Sequence, residues 1–140
     1  MNLILKNFLT DEVSPYMKEI GYRKSGGYFY RQNEHFVYTI CIEEPSCAIF
    51  QDEFIISASI FSHDIAGVLD YYNNDKSPKD LHGFHYSLYN KDIIILGEGN
   101  SISIGDYDIH VLGDHVRKSL LNLNEFFKSI KDIDDFLSLL

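Results

Sequence analysis

Six histidines are the side chains best suited to metal chemistry in this sequence. His82 and His85 form the closest pair, with the spacing H-x-x-H and Gly83 between them. A zinc site needs three or four converging ligands of fixed geometry, and the helical H-E-x-x-H pair of metalloproteases does not occur in the chain. We therefore expect surface or hydrogen-bonded histidines, with neither a bound metal nor another cofactor.

Other residue pairs consist of residue types found in catalytic sites, but they lack the surrounding sequence motifs of such sites. Asp106 and Asp108 would share one face of a predicted strand, where they could hold Mg²⁺, although a solvated strand edge is the interpretation we favour. Cys41 and Cys47 form a C-x5-C pair, which is not a metal or redox spacing. Neither a nucleophile elbow nor a phosphate-binding loop occurs. These observations predict a protein that is not an enzyme.

The distribution of charge is more informative than any of these pairs. Between Gln32 and Asp75 the chain has no lysine or arginine, but it has eight carboxylates, which we call the acidic block: Glu34, Glu43, Glu44, Asp52, Glu53, Asp64, Asp70 and Asp75. Charge of one sign steers association with partners of the opposite sign. The formal net charge of −9 argues against binding of nucleic acid, which requires clustered Lys and Arg. In contrast, the segment that ends at Arg31 has five bases against three acids.

The hydrophobic pattern predicts the elements that must position these residues. An apolar stripe predicts a helix over 5–20, either kinked at Pro15 or restarted with Ser14 as N-cap, and Gly21 is expected to cap it. Alternating segments predict strands at 22–24, 28–31, 35–43 and 54–62. Further predictions are a short helix over 64–72, a hairpin of 92–96 with 101–104, and a C-terminal helix over 112–130 and beyond.

This order of elements predicts an α+β fold, with N- and C-terminal helices on one face of an antiparallel sheet of about five strands. The length of 140 residues fits a single domain over residues 1–140. The N-terminus does not resemble a signal peptide, and no apolar run is long enough for a membrane helix. We therefore expect a soluble cytoplasmic protein that contacts no membrane.

Residues 21–31, GYRKSGGYFYR, resemble a motif of a bacterial domain family of unknown function. In that family a helix ends in a run such as G-[FY]-[KR]-K-x-G-x-x-F-x-R, which this chain matches at Gly21, Tyr22, Arg23, Lys24, Gly26, Phe29 and Arg31. The resemblance implies a similar order of elements and no particular activity. The residues themselves suit a cap, a turn and a pleated surface. An alternative is a basic patch of Arg23, Lys24 and Arg31 that binds an anion.

The general character of the chain is similar to that of bacterial immunity proteins, which sequester a cognate toxin, because it is small, acidic, rich in aromatic residues and without catalytic motifs. We expect a basic protein partner, which the acidic block would attract and a Tyr/Phe patch would hold. The predicted partner-binding residues are Glu43, Glu44, Asp52, Glu53, Asp64, Asp70, Tyr71 and Tyr72. One alternative is a ligand-binding protein or enzyme with a pocket between sheet and helices that uses His82, His85 or the Asp106/Asp108 pair. A dimer closed through a strand edge is another.

Overall fold

The structure is a computed structural model that describes residues 2–46, 52–69, 77–94, 96 and 101–140. Within these residues the centre of the fold is a six-stranded antiparallel sheet. Its strands are β1 (Arg23–Ser25), β2 (Tyr28–Gln32), β3 (Phe36–Glu43), β4 (Glu53–Ser62), β5 (Tyr86–Leu88) and β6 (Ile102–Ser103). The order is β1-β2-β3-β4-β5, and β6 pairs with the first residues of β4.

Helices precede the sheet and follow it in the chain, and two short helices lie between its strands. They are α1 (Leu3–Phe8), α2 (Ser14–Glu19), α3 (His63–Leu69), α4 (Asn90–Ile93), α5 (Ile109–Ser129) and α6 (Ile133–Leu137). A π-helical segment (Leu9–Val13) joins α1 to α2, and 3-10 turns lie at Pro78–Leu81 and Ile104–Asp106. None of the helices in the described part of the chain has the length and apolar character that crossing a bilayer requires.

The N-terminal helix is one continuous, distorted helix. Ser14 has helical dihedral angles, φ −59° and ψ −42°, so the alternative in which it caps a new helix is wrong. The π-helical segment ends one residue before Ser14-Pro15, where the proline ring excludes an ordinary helical hydrogen bond. The helix ends as predicted at Gly21, with φ +100°. The N–H groups of Gly21 and Tyr22 donate to the carbonyls of Lys18 and Met17, which is a Schellman motif.

The alternation of β3 and β4 directs their even-numbered residues toward the helices. Ile40 and Ala58 pair across the two strands, and both belong to the main core. The stripe of α5 supplies the other side of this core with five fully or almost fully buried residues, Leu112, Val116, Leu120, Leu123 and Phe127. The predicted α+β architecture, with terminal helices on one face of an antiparallel sheet, is confirmed.

The second face of the sheet is also partly covered, which the alternation alone did not indicate. Val37 and Phe61 pack there with Ala66 of α3 and Leu81 of the 3-10 turn. Thr39 and Ser59 point to the same face and are buried. Polar side chains are therefore enclosed under the turn, and the second face combines apolar contacts with hydrogen bonds.

The region after β5 differs from the prediction. Asn90–Ile93 is helical (α4), because the Asp92 carboxylate accepts from the N–H of Tyr89 and so caps the helix start. The second half of the predicted hairpin, β6, pairs with β4, and residues 97–100 of its turn lie outside the described residues. Asp106 belongs to a 3-10 turn and Asp108 is the N-cap of α5, so the expectation that both lie on a strand is wrong.

Candidate partner-binding surface

Four of the predicted carboxylates lie together where the β3–β4 hairpin ends. Glu43 is the last residue of β3 and Glu44 follows it, while Asp52 precedes β4 and Glu53 is its first residue. We call these four residues the hairpin end. Glu43 and Glu44 are exposed, and Asp52 and Glu53 are half-buried. The antiparallel register, in which Glu43 pairs with Ile55, holds the two strand ends side by side.

The structure does not bring Asp64 to this surface. Asp64 lies in the first turn of α3, and Glu34 precedes β3, so both are at the other end of the hairpin. The eight residues of β3 span roughly 25 Å. The His35 ring lies between these two acids, with Nδ1 3.2 Å from Asp64 Oδ2 and Nε2 3.4 Å from Glu34 Oε1. The six described residues of the acidic block therefore fall into two groups, and Asp70, Tyr71, Tyr72 and Asp75 lie outside the described residues.

Backbone groups from distant parts of the chain fix two of the hairpin-end carboxylates. Asp52 Oδ2 accepts from the N–H of Gly105 at 2.8 Å, and the Asp52 carbonyl accepts from Ile104 at 3.0 Å. A β-carbon at position 105 would lie 2.8 Å from Asp52 Oδ2, so a larger residue there would displace the Asp52 carboxylate from this position. Glu44 accepts from the N–H of Asn2, just before α1. The acids are thus held by the segments that precede α1 and α5.

Two exposed apolar residues stand beside Glu44, and the sequence interpretation missed them. Leu3 is 69% exposed and Ile4 is 46% exposed. They follow Asn2, whose N–H is bonded to Glu44, so the first turn of α1 adjoins the hairpin end. The sequence did contain a sign of this exposure. The apolar stripe of the helix begins at Leu5, so Leu3 and Ile4 are apolar residues that the predicted core does not use.

A groove of about 330 Å³ continues the same surface. It is lined by Gly27, Tyr28, Cys41, Glu43 and Glu44. Burial, followed by the charge of Glu43, raises the pKa of Cys41 to about 12. The pKa of Tyr28 is also raised, with Cys41 as the largest cause. Both groups are therefore protonated at neutral pH, and Cys41 is not a thiolate nucleophile.

Behind the groove, His82 sits among three hydroxyl groups. Its Nε2 lies 2.8 Å from Ser57 Oγ, and its Nδ1 lies 2.6 Å from Thr39 Oγ1 and 3.3 Å from Ser59 Oγ. The Tyr28 ring meets the imidazole edge-on, with centroids 5.4 Å apart. Burial lowers the pKa of His82, so the neutral ring predominates at pH 7.

His82 and His85 do not converge. His85 stacks on Phe61 at 4.7 Å, and its Nδ1 accepts from the N–H of Ser62 at 2.9 Å. No group of three side chains able to hold a metal ion occurs among the described residues.

The alternative prediction required a pocket between the sheet and the helices. A cavity of about 240 Å³ does lie there, and residues of β5, α4 and α5 line it, among them Tyr86 and Phe126. Neither the two histidines of the H-x-x-H pair nor the two aspartates that flank Tyr107 line this cavity. The candidate catalytic residues of that prediction are therefore not assembled around it.

A scan against protein-family models, a search of curated proteins and a search of solved structures each find no match to this chain.

Proposed function

We propose that the chain is a non-enzymatic binding protein that docks a basic protein partner at the hairpin end. We further propose that the partner is a cognate toxin, which the chain neutralises in the cytoplasm as a bacterial immunity protein does. The observation that carries this proposal is the grouping of Glu43, Glu44, Asp52 and Glu53 at one end of the sheet. Membership of the bacterial family that residues 21–31 resemble stays a prediction.

The charge of the hairpin end supports a role in partner attraction. Among the described residues, neither Glu43 nor Asp52 forms an ion pair with a lysine or arginine. Their charge is therefore not neutralised within this part of the chain, and it extends into solvent over about one Debye length, or about 8 Å at physiological ionic strength. A cationic partner would be oriented toward this end before contact.

The apolar residues beside the hairpin end supply binding energy that charge alone does not. Exposed carboxylates at an interface rim mainly affect association rate and specificity, whereas buried aromatic and aliphatic anchors supply most of the binding energy. Leu3 and Ile4 are exposed beside Glu44, and Tyr28 lines the groove next to Glu43. We assign these residues an anchoring role in addition to the one predicted for Tyr71 and Tyr72, which lie outside the described residues.

The surface is also held in place before binding. Asp52 is fixed by Gly105, and Glu44 is fixed by Asn2. Fixed side chains lose less conformational entropy when a partner orders them, so more of the interaction energy contributes to affinity.

One observation favours a second function, hydrolysis through a serine nucleophile. Ser57 Oγ lies 2.8 Å from His82 Nε2, and Thr39 contacts the other ring nitrogen, which is the arrangement of a nucleophile, a base and an orienting group. We prefer the binding function because Thr39 and Ser59 are buried and bond to each other at 2.6 Å, so the cluster also works as a closed polar contact under the 3-10 turn.

A growth assay tests the proposed function. The chain is expressed together with the product of the gene that adjoins its own, and growth is compared with that of cells expressing the neighbouring product alone. We expect the wild-type chain to restore growth. The quadruple variant E43K/E44K/D52K/E53K should lose this protection, because a positive surface repels a basic partner.

A matched variant separates surface location from net charge. D11K/E19K/E125K/D134K changes the net charge by the same amount at four exposed carboxylates away from the hairpin end. We expect this control to protect cells as well as the wild type. Equal protection by both variants, or a neighbouring product that is not toxic, would contradict the proposed function.

A further inference from the structure

The edge of the sheet formed by β1 is positively charged, in contrast to the acidic hairpin end. A cavity of about 400 Å³ lies between α2 and this edge strand, and it is lined by Ser14, Lys18, Tyr22, Arg23, Lys24 and Phe29. Three of these six residues are cationic in a chain whose formal net charge is −9. The binding of a basic partner at the hairpin end does not account for this concentration of positive charge, which suits an anionic ligand.

The cations come from two elements. Lys18 lies in the last turn of α2, and Arg23 and Lys24 are successive residues of β1. Within the described part of the chain, none of the three forms an ion pair. The last carbonyls of α2 are occupied by the N–H groups of Gly21 and Tyr22, so they do not compete for these cations.

The inner wall of the cavity is apolar except at one point. Tyr22 and Phe29 are buried in the main core and form the floor. The hydroxyl of Ser14 is buried, and it has no hydrogen-bond partner among the described residues. Less than 1 Å² of this oxygen is accessible, so the hydroxyl offers no contact to a ligand in this conformation, and the cations are the groups that face the cavity.

A second, smaller cavity shares Arg23 and extends the positive surface. It has a volume of about 230 Å³, and Arg31 also lines it. The Arg31 guanidinium lies 5.5 Å from the centroid of the Tyr22 ring and 5.3 Å from that of Tyr38, so two cation–π contacts hold it in place. The first cavity, which we call the α2–β1 cavity, is therefore the place where residues 21–31 would bind an anion, and Arg31 lies beside it.

We propose that the α2–β1 cavity binds a small organic anion that has one phosphate or carboxylate group and an aromatic or aliphatic body. The anionic group contacts Lys18, Arg23 and Lys24, and the body occupies the cavity above its floor of Tyr22 and Phe29. This assignment does not depend on the partner that the hairpin end binds.

Amide NMR titration of the full chain with four probes tests the proposal. Phenyl phosphate and benzoate combine an anionic group with a ring, inorganic phosphate has only charge, and benzyl alcohol has only the ring. We expect saturable shifts at Ser14, Lys18 and Lys24 with phenyl phosphate or benzoate. Affinity for inorganic phosphate and benzyl alcohol should be lower by about tenfold or more, which corresponds to about 1.4 kcal/mol.

Variants locate the site. K18E/K24E should weaken binding at least about tenfold, and the milder Lys24→Gln gives the same direction if the double variant does not fold. The control Lys91→Glu, in α4 beyond the opposite edge of the sheet, should bind like the wild type. The absence of saturable shifts, equal affinity for inorganic phosphate, or unchanged binding by the lysine variants would overturn the proposal.

Discussion

Arg117→Met should destabilise the fold, because Arg117 attaches the N-terminal helix to α5. Its Nη1 donates to Glu12 Oε2 at 2.9 Å and to the Glu12 carbonyl at 2.8 Å. The Glu12 side chain is 11% exposed and that of Arg117 is 27% exposed. The remaining partner of the Glu12 carboxylate is His110, at 2.8 Å from Oε1.

The magnitude follows from these contacts. Breaking a fully buried ion pair costs about 3–5 kcal/mol, since it leaves an uncompensated charge. In the variant His110 remains beside Glu12, and its side chain is 80% exposed. The imidazole and water therefore replace some of the hydrogen bonds that the Glu12 carboxylate loses. We therefore expect a loss of about 2–3 kcal/mol in the free energy of unfolding. For a domain of this size the melting temperature should fall by roughly 6–12 °C.

The effect depends on pH in a defined direction. The hydrogen bond from Arg117 is the main reason that the pKa of Glu12 lies below its ordinary value of 4.5. A carboxylate whose pKa is lower in the folded state stabilises the protein above the unfolded pKa, and this contribution disappears as the pH falls through the folded pKa. The difference between Arg117→Met and the wild type should therefore be largest near neutral pH and should shrink well below pH 4.5.

Urea denaturation followed by circular dichroism, at neutral pH and in acid below pH 4.5, measures both effects. The control is Lys118→Met, which removes an exposed cation one residue away on α5. The reasoning would be refuted if the two variants lost equal stability at neutral pH, or if the loss for Arg117→Met were the same at both pH values.

Three further predictions follow from single contacts. Gly113→Ala should lower stability by about 1–2 kcal/mol by urea denaturation, because the new β-carbon would lie 2.5 Å from Glu12 Oε2; a gain, as helix propensity alone predicts, would contradict this. Tyr38→Phe should cost about 1–3 kcal/mol, since it leaves the buried Ile130 carbonyl without its 2.7 Å donor; a loss below about 0.5 kcal/mol would refute it. A fluorophosphonate probe should not label Ser57 by mass spectrometry, and specific labelling there would favour hydrolysis.

Much of the fold could be predicted because its signals are local. The alternation over 35–43 predicted β3 almost residue for residue, and the apolar stripe of the last segment predicted α5. Gly21 was recognised as a cap because a left-handed residue at a helix end favours glycine. The covering of the second sheet face was not predictable in this way, since it depends on Leu81 reaching Phe61 across the fold.

The candidate site was predictable in composition but not in arrangement. The acidic block is a property of the sequence, whereas the register of β3 with β4 decides that Glu43 and Asp64 lie at opposite ends. The contact of Asn2 with Glu44 joins residues 42 positions apart, and it alone places Leu3 beside the acids. Long-range contacts of this kind leave no periodic signal in a single sequence.

The rate at which the chain associates with the product of the adjoining gene tests the central claim most directly. Four charge pairs about 8 Å apart in water differ between the wild type and E43K/E44K/D52K/E53K by about 1.5 kcal/mol at 0.15 M salt and about 3 kcal/mol at 0.01 M. Stopped-flow mixing should therefore show the variant associating about tenfold more slowly at 0.15 M salt and about 200-fold more slowly at 0.01 M. D11K/E19K/E125K/D134K should stay close to the wild-type rate. Equal rates for the wild type and the hairpin-end variant at both salt concentrations would contradict docking at this surface.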